Sequence, residues 1–338
     1  MNNFKKIGLT ALAASLVSTS VFAGELTATG TASITAEGVS GEQLSGSGQT
    51  AFSMNNSINF NGSTELDNGM TVSMNFELDQ GAAAQAADGG STTQAANTGS
   101  VFDNHSVTVS SDALGSLTFA GHGGSSAASA LDTTAAGDMW DNFDGLGVGA
   151  DAVAVSDSAP GNNSMFYTLP SMVDGLAVNA SYKPRSTGRS SASGYAATYT
   201  GVEGLSVSYG VTDIEGGTSL TSGDQTVMKA SYAYGPVTAA YSNSDYDYGT
   251  ADGSADQETT SYNISYTVSD AISVSYGTEA ISNGASGKID AEYEGFKAAY
   301  TSGGMTVSAS MLDAENTTHT TGSDEDLEYW SLGLSFAF

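Results

Sequence analysis

The sequence predicts an all-β protein, a 16-stranded antiparallel transmembrane β-barrel with short periplasmic turns at one end and long external loops at the other. Three observations carry this reading. Apolar and polar residues alternate with a period of two along the whole chain, the mark of strands with two different faces. Between these runs, tight turns, most of them with glycine, and long polar connections alternate strictly. The chain stops inside such a run, "EYWSLGLSFAF", where Trp330, Leu332, Leu334, Phe336 and Phe338 alternate with Ser331, Gly333, Ser335 and Ala337.

At the N-terminus, Lys5 and Lys6 precede an apolar stretch ending on Val21-Phe22-Ala23, the layout of a secretory signal peptide. Residues 1–23 are expected to be removed, leaving 24–338 as one barrel domain. Loss of the two lysines moves the formal charge from -29 to -31. Six cations remain: Lys183, Arg185, Arg189, Lys229, Lys288 and Lys297. So acidic a surface repels nucleic acid and gathers cations, which excludes DNA binding. The absence of Cys excludes disulfides and thiolate metal sites. Sixteen Tyr and twelve Phe, regularly spaced, argue against a disordered acidic chain. Past the signal no run of 18 apolar residues occurs, so the mature chain either is soluble or crosses a membrane with strands.

The first strand follows Leu26 and shows a face of small residues, Ala28, Gly30, Ala32 and Ala36, with Ile34 alone large. Two readings stay open: close approach of a neighbouring subunit, which small residues permit, or a weak strand. Clean alternation follows in Met70/Val72/Met74/Phe76/Leu78 and Leu176/Val178/Ala180/Tyr182, then in Leu205/Val207/Tyr209/Val211 and Tyr262/Ile264/Tyr266/Val268. It continues in Ile272/Val274/Tyr276 and Met305/Val307/Ala309/Met311. Asn68-Gly69, Leu114-Gly115, Asp174-Gly175, Glu203-Gly204, Gly235-Pro236, Ser269-Asp270 and Gly303-Gly304 supply the tight turns. Seven turns join fourteen strands, and the first and terminal runs bring the count to sixteen. A soluble sandwich also alternates. The turn asymmetry decides against it, together with tyrosines near the turn ends (Tyr182, Tyr209, Tyr234, Tyr241, Tyr276, Tyr300) where an interfacial girdle would sit. An unclosed edge in lipid leaves backbone groups unpaired at several kcal/mol each, so the first and last strands must meet.

The longest connection, Gly121 to Asn163, carries Asp132, Asp138, Asp141, Asp144 and Asp151 and no cation. Its Met139, Trp140, Phe143 and Leu146 call for something to pack against. The expected arrangement is an inward fold of this third loop, which narrows the lumen and presents carboxylates to solutes. A solvated outer loop is the competing arrangement. The spacing of three in Asp138, Asp141 and Asp144 suits an improvised Ca²⁺ site, without the fixed spacing of an EF-hand. Lys183, Lys229, Lys288 and Lys297, with Arg185, fall at lumen-facing parity. They form either the basic side of a pore or simply charges kept out of lipid. Further acids, Asp245/Asp247/Asp252/Asp256 and Asp324/Glu325/Asp326, suit divalent-cation bridges to lipopolysaccharide or plain solvated loops. His105, His122 and His319 are the only histidines, and no nucleophile elbow, zinc-protease helix motif or phosphate loop occurs.

The segment "NSMFYTLPSMVDGLAVNASY" (163–182) and the aromatic-ended terminal run resemble the Gram-negative general porins, in particular the alphaproteobacterial, Rhodobacter-like group. Asn163, Ser164, Tyr167, Pro170, Gly175 and Leu176 carry the match. The resemblance implies a homotrimer of open channels for small hydrophilic solutes. It also implies a third loop as constriction and a C-terminal Phe read by the barrel-assembly machinery. The family's arginine cluster is not matched: Phe166 stands where one such arginine is expected, and Asn55, Ser57, Asn59 and Asn61 are uncharged. The expected activity is therefore passive diffusion with cation preference and no catalysis. A surface adhesin and an outer-membrane hydrolase using His105 or His122 are the alternatives.

Overall fold

The structure, a computed structural model, describes residues 26–41, 49–79, 102–143, 162–185, 190–216, 222–249, 256–320 and 326–338. Residues 1–23 therefore lie outside it. Sixteen strands follow one another: β1 (Leu26–Gly41), β2 (Gln49–Glu65), β3 (Thr71–Asp79), β4 (His105–Ser111), β5 (Gly115–His122), β6 (Ser164–Thr168), β7 (Leu176–Lys183) and β8 (Ser191–Tyr199). Then come β9 (Leu205–Glu215), β10 (Gly223–Tyr234), β11 (Val237–Asp247), β12 (Gln257–Ser269), β13 (Ile272–Ile281), β14 (Ala291–Ser302), β15 (Met305–Glu315) and β16 (Leu327–Ala337). Each pairs antiparallel with its sequence neighbours, and β1 pairs with β16, so the sheet closes without an edge.

The turns fall where the sequence places them. Asn68 Oδ1 accepts from the Met70 backbone N at 3.1 Å, and Gly69 adopts a φ of 78°. At Gly175, with φ 74°, a β-carbon would run into the Gly201 backbone at about 2.5 Å, so glycine is required twice over. Tyr167 of the quoted segment, on β6, donates its hydroxyl to the Leu114 carbonyl at 2.5 Å and so ties that strand to the turn between β4 and β5.

Alternation assigns the faces as expected. One face exposes Phe52, Met228, Tyr262, Phe296, Met311 and Leu332, with Met311 70% exposed. The opposite face carries Ser181, Ser208, Thr212, Ser242 and Ser261, all buried. At the seam, Phe338 and Gly30 exchange two backbone hydrogen bonds, of 2.7 and 3.0 Å. A β-carbon on Gly30 would sit 2.5 Å from the Phe338 ring, and one on Gly38 would meet the Trp330 indole. The small residues of β1 thus leave room for the aromatics of β16, a closure role that the small-residue stripe did not announce.

Candidate pore site

Residues 123–143 lie against the polar face. The wall offers them hydroxyls: Ser181 on β7 accepts from Ala127 N at 2.8 Å and Thr212 on β9 from Ala128 N at 3.2 Å. Ser242 on β11 accepts from Ala135 N at 2.8 Å, and Ser261 on β12 from Ala136 N at 3.0 Å. Amide groups of a non-regular segment are thereby paired instead of being left buried and unsatisfied.

Charged side chains complete the grip with matching polarity. Lys229 on β10 donates to Thr133 O at 2.5 Å, and Lys297 on β14 donates to Ala136 O and Gly137 O at 2.8 and 3.0 Å. On the N–H side, Glu279 of β13 is 2% exposed and accepts from Thr134 Oγ1 and from Trp140 N, the latter at 3.2 Å. Cations meet carbonyls and the carboxylate meets an amide at the start of a 3-10 turn, Met139–Phe143. Asp138 closes the local turn: its Oδ1 accepts from Thr134 N at 2.9 Å, while Thr134 Oγ1 accepts from Asp138 N at 2.7 Å.

The 3-10 turn supplies the apolar anchor anticipated from its composition. Met139 and Phe143 are buried in one cluster with Val39, Ile281, Leu312, Leu327 and the tyrosines Tyr293 and Tyr329, and Trp140 packs at its margin. Phe143 lies 5.6 Å from the Tyr293 ring and 5.9 Å from the Tyr329 ring. These wall residues sit at polar-face positions near the strand ends farthest from the short turns, so the alternation is locally broken to receive the turn.

Of the predicted acids, Asp138 and Asp141 line a cavity of about 710 Å³ together with Asn142, Lys297, Ser273 and Ser310. Asp132 accepts from Gln225 Nε2 at 3.4 Å. Asp144, Asp151 and Leu146 lie outside the described residues. Among those described, no three metal-ligating side chains converge on one point. The predicted basic set divides. Lys183 ends β7 on the polar face, whereas Lys229 and Lys297 are spent on backbone carbonyls of residues 133–137. Lys288 lies in the connection between β13 and β14, not on a strand, and donates to Thr318 O at 3.2 Å. Parity therefore does not place it on the pore wall. Arg185 lies beyond β7, donates to Gly216 O at 2.6 Å and pairs loosely with exposed Glu215 at 3.9 Å. Phe166 takes a polar-face position opposite Thr118 and Ser181. Glu279 was not anticipated as a functional residue; a lone acid at polar parity in the run "SVSYGTEAI" was its only signal.

His105 and His122 face each other across a bulge between β4 and β5, and neither Nδ1 has a hydrogen-bond partner.

A closed sixteen-stranded sheet with an exposed apolar face and a polar opposite face defines a transmembrane β-barrel channel. The sequence matches the Gram-negative porin family over residues 8–301, and the chain belongs to that family. It is an outer-membrane, porin-type channel for small solutes and not an enzyme. Among solved structures it is similar to an anion-selective porin from Comamonas acidovorans, at 14% identity and a TM-score of 0.68, covering 93% of this chain and 100% of that one. It is also similar to a mutant of the Rh. blastica porin, at 17% identity and a TM-score of 0.62, with the same coverage of 93% and 100%. Identities this low speak for the fold alone. No curated protein matches the sequence.

Proposed function

We propose that the protein is a cation-preferring diffusion porin in which residues 123–143 fold into the lumen as the constriction. The observation that carries this is the attachment of that segment to polar-face side chains on β7 and β9 to β14, with its aromatic turn seated on β13 to β16. Asp132, Asp138 and Asp141 then supply carboxylates of the constriction, the sequence-based expectation that Asp144 and Asp151 join them falls outside the described residues, and Lys229 and Lys297 act chiefly as clamps. The Comamonas relative is described as anion-selective. Selectivity follows individual charges, and at 14% identity those do not transfer.

Further parts of the reading rest on the sequence and the family. Residues 1–23 act as a signal peptide, 24–338 form one barrel domain, and three copies assemble as in related porins. The short turns are periplasmic and the long loops external. Kinship with the Rhodobacter-like group rests on the 163–182 segment. Phe338 serves as the signal for the barrel-assembly machinery, supported by its place at the closing seam. Lipopolysaccharide is held through divalent cations, and the strand register supports this. At the ends remote from the short turns, Asp213 faces Asp224, Asp224 faces Asp247, Asp245 faces Glu258, Glu294 faces Asp313 and Asp313 faces Glu328, all on the exposed face. Like charges directly opposite destabilise a sheet unless a counter-ion intervenes.

The loop placement is tested by replacing Asp138 with Cys in this cysteine-free chain and adding a bulky, membrane-impermeant thiol reagent to channels in a planar bilayer. A stepwise fall in conductance is expected. Full chemical modification without any change in current would put the segment outside the lumen.

A further inference from the structure

We propose that Glu77 is a second selectivity-determining carboxylate of the channel, set on the barrel wall that faces the constriction segment, and that it favours small cations, organic ammonium ions among them. This rests on the reading of a cation-preferring lumen and adds a residue to it. The hydrogen bonds and apolar contacts that hold residues 126–143 fall on β7, β9 to β16 and β1. Strands β2 to β6 therefore form the opposing part of the wall.

On that part, the sequence from 49 to 168 contains no Lys or Arg, so no lysine or arginine stands opposite the carboxylates of the segment, and His105 and His122 are the only other basic side chains there. What stands there is an amide ladder on the polar face of β2 and β3. Asn75 Nδ2 donates to Asn59 Oδ1 at 3.1 Å and to Asn61 Oδ1 at 2.8 Å. Both carboxylate oxygens of Glu77 are held: Oε1 accepts from Asn59 Nδ2 at 3.5 Å and Oε2 from Asn104 Nδ2 at 2.5 Å. Such donors fix the orientation of the carboxylate without neutralising it, unlike an arginine.

The height along the barrel is set by the same contacts. Glu77 pairs with Asn59 two residues before the end of β3 that is remote from the short turn, whereas Glu65, another acid on this face, pairs with Thr71 beside that turn. The Asn104 side chain that binds Glu77 lies against Gly123, where φ is 70° and a β-carbon would collide with it. Gly123 is the point at which the constriction segment leaves β5, so Glu77 stands level with the root of that segment. A permeating cation at this level meets carboxylates from the segment on one side and Glu77 on the other. An anion meets no lysine or arginine on the β2 to β6 side.

The test is the zero-current potential of single channels in a KCl gradient, repeated with methylammonium chloride, for Glu77→Gln and Glu77→Lys. One unit charge at ~10 Å in water changes a local ion concentration about twofold, so the cation-to-anion permeability ratio should fall roughly two- to fourfold in Glu77→Gln. It should fall further in Glu77→Lys. Heat-modifiable migration on gels verifies that the variants fold. Potentials unchanged in both folded, conducting variants overturn the proposal. Asp138→Asn and Asp141→Asn are measured in parallel: a shift with Glu77→Gln but none with these pins selectivity on the wall and rejects the segment as its source. If the parent channel itself proves anion-selective, the general cation reading fails, while a further shift toward chloride in Glu77→Gln still upholds the role of Glu77.

Discussion

Replacing Glu279 by Ala should loosen the proposed constriction without unfolding the barrel. The carboxylate is 2% exposed and receives Thr134 Oγ1 and Trp140 N. Hydrogen bonds to a charged group are worth about 1.5–3 kcal/mol each, so removing both acceptors weakens docking of residues 134–140 by roughly 3–6 kcal/mol, less whatever entering water restores. Burial of Met139 and Phe143 contributes a further ~3–6 kcal/mol on an area basis, and Glu279→Ala leaves it in place. The polar and apolar anchors are thus of similar size, and losing one should give a segment that is docked for part of the time. Single channels should show higher mean conductance and more open-channel noise, and should admit larger polyethylene glycols. Glu279→Gln keeps one acceptor oxygen and should lie between the two. Conductance, noise and size limit all equal to the parent in Glu279→Ala would refute the anchoring argument, since the barrel strands do not depend on this side chain.

Two further outcomes follow from the seam and the acidic rim. Gly30→Val must displace the Phe338 ring, whose edge lies 2.5 Å from the site of the new β-carbon, so the heat-modifiable folded fraction should drop. Extending the chain by a few polar residues after Phe338 should likewise impair assembly, and normal insertion of both variants would remove the seam from the assembly account. Millimolar Ca²⁺ should raise the thermal midpoint of the purified protein, and EDTA should release bound lipopolysaccharide. Asp224→Asn with Glu294→Gln should blunt both effects, and insensitivity of the parent protein to EDTA would count against cation bridging.

The barrel was legible because lipid imposes one rule on every strand. Large apolar residues at every second position and seven tight turns, six of them with glycine, were enough to count strands and to pair the terminal run with the first. The site was legible in outline only. Met139, Trp140 and Phe143 announced that their segment docks, but the receiving surface is scattered over five strands as Val39, Ile281, Tyr293, Leu312 and Leu327, each a single break in a local alternation. Such breaks gain meaning only once register brings them together. Parity reports which face a side chain leaves from, not what its ammonium meets: Lys229 and Lys297 leave the polar face as expected and then bond carbonyls of residues 133–137. Lys288 differs: counted from Ile289 it takes polar parity, but β14 begins only at Ala291 and exposes Glu292, Glu294 and Phe296, so the alternation of the strand does not carry back to it. Glu279 and Glu77 were each one acid among 37 Asp and Glu, and only their partners distinguish them.

The central claim is a water-filled channel whose carboxylates outweigh its free cations. The zero-current potential of the parent protein in a planar bilayer under a tenfold KCl gradient tests it most directly. The account predicts a potential, negative on the concentrated side, that shows K⁺ crossing faster than Cl⁻ and shrinks as ionic strength rises and charges are screened. A potential of the opposite sign at low salt would contradict it.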